Sequence, residues 1–225
     1  MNDESTEEDK PNAVPISANA RRVLGVMIEK AKTVPDSYPL TLSSLVSGCN
    51  QKSNRDPKTD LDDEDVLLVL DELRALGAAI EVQGSGRATK YRHDAYDWLG
   101  VESPGISIMA ELLLRGPQTV GEIRTRASRM YAFENLDAVK TTLDELVKQG
   151  LVEAVTPAGR GQIFAHSLYP PQEKQYLEAK VAKRAPVSTA APKESQTKVD
   201  KLLARLDTVN ERIDELEQRI KELET

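Results

Sequence analysis

The sequence has few of the residues on which disulfides and metal centres depend. Of its 225 residues, one is cysteine and two are histidine, and aromatic residues make up 4%. A lone Cys49 excludes an intramolecular disulfide, and one cysteine with two histidines cannot by themselves supply a four-ligand zinc site. We therefore expect no metal and no cofactor, and a protein of a reducing compartment, the cytoplasm.

Long apolar runs are missing as well. No stretch approaches the roughly 18 apolar residues that a membrane-spanning helix needs. The first residues, MNDESTEEDKPN, are acidic and lack the apolar centre of a signal peptide. We expect no membrane association, and a disordered acidic tail over residues 1–15.

Positive charge is scarce in the part of the chain that should fold. The net charge is −7, of which residues 17–98 carry −2 and residues 99–170 carry −1. Because a nucleic-acid-binding domain usually presents a basic face, only local patches of lysine and arginine could bind nucleic acid here.

What the sequence does contain is an internal repeat. Residues 66–93 and 139–166 align without a gap, 73 residues apart, and ten of the 28 positions are identical. The shared residues include a Leu-Asp-Glu-Leu segment, a following glycine, a Gly-Arg pair and a terminal histidine. Such a repeat is one supersecondary unit used twice, so it predicts tandem small domains.

The pattern within each unit is three helices followed by a β-hairpin. Apolar spacing, caps and glycines predict helices over about 18–32, 41–47 and 62–76, with strands over about 79–83 and 88–93. The second unit is predicted as helices over 106–115, 120–127 and 136–149, with strands over 151–155 and 162–166. This order is typical of a winged helix, so the fold class is mainly α with small hairpins (α+β). The predicted winged-helix domains span residues 16–98 and 103–169.

The C-terminal part has a different composition. Residues 170–197 read as a linker with a possible helix over 172–184, and residues 198–225 form an unbroken heptad pattern. The seam residues are Val199, Leu202, Leu206, Val209, Ile213, Leu216, Ile220 and Leu223. Flanking pairs such as Arg212 with Glu217 favour a parallel homodimeric coiled coil; the alternative is an amphipathic helix packed on its own domain.

Three stretches resemble one bacterial family. They are RVLGVMIEK (22–30), CNQKSNRDP (49–57) with the preceding Tyr38-Pro-Leu, and ELLLRGPQT (111–119) with RTRASRM (124–130). Together they resemble the YceH family of uncharacterised proteins over about residues 16–170. The resemblance implies tandem winged-helix domains and leaves the function open.

Eight cations are candidates for contact with nucleic acid. They lie in the loop before the third helix, on the hairpins, and around the second helix of the second unit: Lys52, Arg55, Arg87, Lys90, Arg124, Arg126, Arg129 and Arg160. Hairpin arginines can reach phosphates or a minor groove, or can simply be solvated. Arg126 and Arg129 share a helix face and can bind phosphate or pair with acids of a neighbouring helix.

The acids at the start of the third helix count against a DNA-reading role. The third helix begins DLDDED (60–65), where a helix-turn-helix protein would meet the phosphates, and acids there also cap the helix and complement its dipole. The loop over residues 50–57 can hold a ligand or partner, or can build turns that fix a long connection.

Catalytic signals are weak. His93 and His166 occupy equivalent repeat positions, which indicates packing or hydrogen bonding, and Cys49 has no nearby histidine in sequence. We therefore predict a non-enzymatic protein. The first hypothesis is a DNA-binding, transcription-regulating dimer; the alternative is a protein-interaction scaffold that does not bind DNA directly.

Overall fold

The computed structural model of the protein describes residues 14–83, 88–174, 177 and 181. Within them, helices alternate with short strands in an α+β arrangement. The first half contains α1 (Ala18–Thr33), β1 (Leu40–Thr41), α2 (Leu42–Cys49), α3 (Asp63–Ala75), β2 (Ala79–Gln83), β3 (Thr89–His93) and α4 (Ala95–Leu99), with a 3-10 turn at Pro35–Ser37. The second half contains α5 (Ser103–Arg115), β4 (Gln118–Thr119), α6 (Val120–Ala127), α7 (Leu136–Lys148), β5 (Val152–Ala154) and β6 (Ile163–His166).

Side-chain caps and glycines fix where the helices begin and end. The Ser17 hydroxyl accepts a hydrogen bond from the Ala20 amide at 3.1 Å, and Thr41 and Thr119 cap α2 and α6 in the same way. Gly77 and Gly150 follow α3 and α7 with φ of 74° each, a left-handed conformation that other residues avoid. These predicted boundaries are confirmed to within one or two residues, whereas α5 begins three residues earlier than predicted.

The repeat seen in the sequence reappears in the backbone hydrogen bonds. The Ala78 amide donates to the Leu73 carbonyl at 2.8 Å, and its counterpart 73 residues later, Leu151, donates to Leu146 at 2.9 Å. The strand registers also correspond, with Ala79 opposite His93 and Val152 opposite His166. The two hairpins therefore have equivalent pairings from Ala79 to Glu81 and from Val152 to Ala154, and the first ladder continues two residues further. We call the two halves copy one and copy two.

Each copy has a third strand that the sequence did not reveal. β1 and β4, two residues each, pair antiparallel with β3 and β6, which gives two sheets in the orders β1-β3-β2 and β4-β6-β5. A two-residue strand is too short to show alternation, and the five-residue helix α4 was likewise not predicted.

The two copies share one apolar core, in which α1 packs along α5. Gly25 lies at this contact: a Cβ atom built on it would be 2.9 Å from Cγ of Leu114 and 3.2 Å from Cβ of Leu113. The absence of a side chain at Gly25 thus lets the two helices approach each other closely, and it joins the copies through their first helices.

Several predictions fall on residues that the structure does not describe. They include most of the acidic tail, the first hairpin turn with Arg87, most of the segment after residue 174, and the whole heptad region over residues 198–225. In the described ranges, no helix is both long enough and apolar enough to span a membrane.

Candidate functional site

Two glutamates are buried on the apolar faces of α1 and α5. Glu29 is 1% exposed and Glu111 is 0% exposed. They occupy matching places in the two copies, after Met27-Ile28 and Met109-Ala110 respectively. A buried carboxylate is costly unless it is paired, so these residues need cations that reach them from other elements.

Arg129, which follows α6, bridges the two glutamates. Its Nη2 lies 2.5 Å from Oε1 of Glu29 and 3.0 Å from Oε1 of Glu111. A single guanidinium of copy two thus binds equivalent carboxylates from both copies.

Arg55 completes the pairing of Glu29. Its Nη1 and Nη2 contact Oε1 and Oε2 of Glu29 at 3.2 and 2.5 Å, and its Nε donates to the Gly48 carbonyl at 3.0 Å. Burial of Glu29 would by itself raise its pKa, but the hydrogen bond from Arg55 and the charges of Arg55, Arg129 and Lys30 outweigh burial. The pKa of Glu29 therefore lies below its ordinary value, and this carboxylate is ionised at neutral pH.

Arg115, at the end of α5, pairs with Glu111. Its Nε lies 3.1 Å from Oε2 of Glu111, an ion pair in which neither of these two atoms has a hydrogen-bond partner. Its Nη2 donates to Oδ1 of Asn54 at 2.6 Å, and the Asp56 amide donates to the Leu114 carbonyl at 3.0 Å. The loop of copy one is thus hydrogen-bonded to the end of the first helix of copy two.

We call Glu29, Arg55, Glu111, Arg115 and Arg129 the inter-copy cluster. It contains three arginines and two glutamates, all within the stretches that resemble the YceH family. The cluster's geometry indicates that these motifs hold the two copies together. The burial of Glu29 and Glu111 was not predicted from the sequence. The feature that indicates it is a glutamate at the same place within each apolar helix.

This geometry corrects the roles expected for several of the eight candidate cations. Arg55 is buried against Glu29 and cannot meet a phosphate. Arg126 donates to Oε1 of Gln118 at 2.6 Å and lies 3.5 Å from Glu122, while Arg129 is held by the two buried glutamates. Of the two alternatives for the Arg126 and Arg129 pair, Arg129 pairs with acids of neighbouring helices, whereas the acid near Arg126 belongs to its own helix α6. Arg124 is half-buried and donates to the Glu134 carbonyl at 3.3 Å.

Three other candidate cations remain free to meet a partner. Lys52 and Arg160 are exposed and Lys90 is half-buried, and in the described part of the chain none of them has a carboxylate within ion-pair distance. They lie on separate elements: the loop after α2, the hairpin of copy two and β3. Arg87 is not described.

The acidic start of α3 has a clear local role. Oδ1 of Asp62 accepts from the Asp65 amide at 2.9 Å, and Oδ2 of Asp65 accepts from the Asp62 amide at 3.2 Å, which is a reciprocal capping box. Asp60, Asp63 and Glu64 remain exposed beside it. The cap explains two of the five carboxylates, and the others give this end of the helix a negative surface.

Copy two carries an open groove of about 670 Å³ between α6, α7 and the hairpin. Its lining combines apolar side chains with both signs of charge: Val120, Leu136, Phe164, Lys140, Asp144 and Arg160. Leu136 is 45% exposed there, so the groove offers an apolar contact flanked by charges.

The two histidines have equivalent structural roles, as their positions in the repeat predict. Nδ1 of His93 accepts from the Ala95 amide at 3.3 Å, and Nδ1 of His166 accepts from the Leu168 amide at 3.2 Å. Burial lowers the pKa of His93 to about 4 and holds that of His166 well below its ordinary value. Burial likewise raises the pKa of Cys49 to about 12, which leaves a neutral, inert thiol.

Comparison with known proteins places these features in a family. The family described as "Protein of unknown function, DUF480" matches residues 16–160. The chain belongs to the DUF480 family. The matched range of DUF480 contains the whole inter-copy cluster.

Individual relatives of this DUF480 chain are named UPF0502 proteins. The one from Rhodopirellula baltica is 60% identical over 198 residues, covering 88% of this chain and 83% of the relative. The one from Paracidovorax citrulli is 44% identical over 156 residues, or 67% of each chain, and the one from Geotalea daltonii is 49% identical over 126 residues, covering 56% of this chain and 58% of the relative. The resemblance drawn from the sequence thus holds at the level of an uncharacterised bacterial family.

Proposed function

We propose that this DUF480 protein, of the YceH type, is a non-enzymatic cytoplasmic scaffold. It binds a protein partner and does not bind DNA directly. Its copies are tandem winged helices: the order of three helices and a hairpin, with β1 or β4 as the third strand, supports this interpretation. In this proposal the partner docks on the exposed faces of α3 and α7.

The observation that carries the proposal is the charge at the start of α3. In helix-turn-helix proteins the N-terminal residues of this helix approach the bases between two rows of phosphates. Here the exposed Asp60, Asp63 and Glu64 occupy that end, so a duplex would meet negative charge. The equivalent α7 begins with Asn135, Leu136 and Asp137, which supply no cation either.

Exposed apolar side chains on the same helices favour a protein partner. Leu67 and Leu68 are exposed on α3, Leu68 to 71%, and Leu136 and Val147 are exposed on α7. Protein interfaces are built around such apolar contacts with a polar rim, whereas phosphate backbones require cations.

A two-part experiment tests the scaffold. Binding of the full chain to random duplex DNA is measured by fluorescence anisotropy from low to physiological salt. The proposal expects no binding even at about 50 mM salt, where phosphate contacts are strongest. In parallel, the chain and its Leu68→Asp and Leu136→Asp variants are immobilised as baits in pull-down experiments. Lys52→Gln is the control variant. A partner retained by wild type and the control but lost from a leucine variant supports the proposal, while DNA binding with a steep salt dependence overturns it.

The second candidate function is a DNA-binding, transcription-regulating dimer. It is favoured by Lys52, Lys90 and Arg160, which have no carboxylate partner in the described ranges. If DNA is bound, changing these three residues to glutamine should weaken binding and reduce its salt dependence by about one counterion for each phosphate that the variant no longer neutralises. In either proposal the C-terminal heptads join two chains as a parallel homodimer.

A further inference from the structure

A cavity of about 260 Å³ lies where the two copies meet, apart from the groove in copy two. Its wall is formed by α1, the loop around Pro57, the end of α5 and the segment after β6. The polar side chains on this wall are Asn19, Arg21, Arg22, Asp56, Thr59, Arg115, His166, Tyr169 and Glu173. Leu113 and Leu177 supply apolar surface, so the cavity combines cations with an apolar wall.

Arg22 is the unusual residue of this cavity. It is 3% exposed, and its Nη2 donates to the Pro57 carbonyl at 2.5 Å. Its Nε and Nη1 are buried and have no hydrogen-bond partner within the protein. Among the described residues, no carboxylate lies within ion-pair distance of it. A buried guanidinium with unpaired donors is costly, because it has lost its water without gaining an acceptor.

The neighbouring Arg21 provides an internal comparison. Its Nη1 donates to the Ile16 carbonyl at 2.7 Å, its Nη2 pairs with Glu173, and its guanidinium lies 4.6 Å from the centre of the Tyr169 ring. The fold therefore gives one arginine of this wall a counter-ion and leaves the adjacent one without any.

The electrostatic surroundings leave positive charge uncompensated at Arg22. Burial and the charge of Arg55 lower its pKa, while Asp56 and Glu29 act in the opposite direction from beyond ion-pair distance. The inter-copy cluster nearby has one more arginine than glutamate. Two carboxylates also line the cavity; that of Glu173 is bound by Arg21, and Asp56 is exposed. An arginine stays protonated throughout the physiological range, so an anion is the chemical group that this position lacks.

We propose that the cavity binds a small organic anion whose carboxylate or phosphate oxygens accept hydrogen bonds from the unpaired donors of Arg22. Its apolar body lies against Leu113 and Leu177. Charge-assisted hydrogen bonds of a guanidinium to an oxyanion are among the strongest that a protein can form. The volume suits a molecule smaller than a typical drug-sized ligand.

The position of the cavity gives the ligand a physical effect. Residues of copy one, such as Arg22 and Pro57, and of copy two, such as Leu113 and Arg115, line the same space. A ligand that binds only when the copies are packed together stabilises the folded chain by mass action. It is thus expected to raise the midpoint of thermal unfolding.

The test uses the full chain with inorganic phosphate and benzoate as separate probes, with sodium chloride as the ionic-strength control. Binding is measured by isothermal titration calorimetry, and the Nε–H signals of the arginine side chains are followed by NMR. We expect at least one probe to shift the Arg22 signal of the wild-type protein and to raise its unfolding temperature. A response to phosphate alone, to benzoate alone or to both identifies the head group.

Variants make the assignment specific. Arg22→Gln should bind the probe about ten- to a hundredfold more weakly, Arg22→Lys should retain part of the affinity, and Arg74→Gln, outside the cavity, should bind like wild type. Failure of both probes to shift the Arg22 signal overturns the proposal, as does wild-type affinity in Arg22→Gln. Because the NMR measurement uses the unaltered chain, it decides the question even if Arg22→Gln does not fold.

Discussion

Arg55 and Glu29 form a two-point ion pair inside the protein, with side chains that are 0% and 1% exposed. Their contacts, at 3.2 and 2.5 Å, join the loop after α2 to the middle of α1. The loop over residues 50–57 could hold a ligand or partner, or could build turns that fix a long connection. The described geometry supports the second, structural role. Asn50 fits the same role, since its side chain both donates to the Leu61 carbonyl and accepts from the Leu61 amide.

Replacing one partner of this pair should be severe. Glu29→Gln leaves the guanidinium of Arg55 buried without its counter-ion, so we expect the free energy of unfolding to fall by about 3–5 kcal/mol. Urea unfolding followed by circular dichroism measures the loss. The control is Arg74→Gln, which breaks exposed pairs with Asp71 and Glu81 and should cost less than about 1 kcal/mol. Equal losses in the two variants would show that the buried pair contributes no more to stability than the exposed ones.

The close approach of α1 and α5 gives a second prediction. Gly25→Ala improves helix propensity but places a methyl group against Leu114, so we expect a net loss of about 1–3 kcal/mol. Gly121→Ala in α6 is the matched control, because nothing lies within 4 Å of its Cβ position. That change should raise stability by up to about 1 kcal/mol. Thermal unfolding of both variants checks the two signs, and stabilisation by Gly25→Ala would refute the tight helix contact.

The buried histidines predict loss of stability in mild acid. Burial lowers the pKa of His93 from 6.5 to about 4, so below pH 6.5 the unfolded chain binds a proton that the folded chain refuses. The stability that depends on a neutral His93 is lost as the pH falls from about 6.5 to 4. Between pH 7 and pH 5 the free energy of unfolding should fall by about 2 kcal/mol from this residue.

The His93→Asn variant isolates this contribution. Asparagine keeps an acceptor for the Ala95 amide but does not titrate, so its stability should fall less than that of wild type between pH 7 and pH 5. Urea unfolding at the two pH values gives the difference. Identical losses in variant and wild type would mean that His93 is not the proton acceptor.

The acids at the start of α3 should differ in their contribution to stability. Asp62→Ala removes the capping hydrogen bond to the Asp65 amide and should cost about 1 kcal/mol. Asp63→Ala removes only a charge near the helix dipole and should cost less. Chemical unfolding ranks the two variants. A larger loss in Asp63→Ala would contradict the capping role of Asp62.

The heptads give a prediction that rests on sequence alone. Ile213 lies on the apolar seam, and Ile213→Asp places a charge in the proposed dimer contact. We expect the variant to be monomeric by multi-angle light scattering while the wild-type chain is dimeric. A monomeric wild type would favour the alternative, an amphipathic helix packed on its own domain.

Much of the fold could be predicted because its signals are local. Ser17, Thr41 and Thr119 are caps, Gly77 and Gly150 end helices, and the repeat confirms the assignment of each element through its counterpart. β1 and β4 could not be predicted, since two-residue strands depend on a partner that lies far along the chain.

The partners of the charged side chains could not be predicted from the sequence either. Arg55 and Arg129 look like solvated cations in a polar loop and at a helix end, and only the packing of α1 on α5 shows that both reach Glu29. Arg22 belongs to the same class, because its isolation from carboxylates is a property of the assembled interior.

The connection between the second and third helices differs in length between the two copies. Thirteen residues separate α2 from α3, and eight separate α6 from α7. The longer connection is the one that inserts Arg55 beside Glu29 and ties Asp56 to Leu114. The duplicated units are consequently not interchangeable: a chain built with their order exchanged would bring the short connection to this junction and leave its glutamate without the arginine that the longer connection supplies.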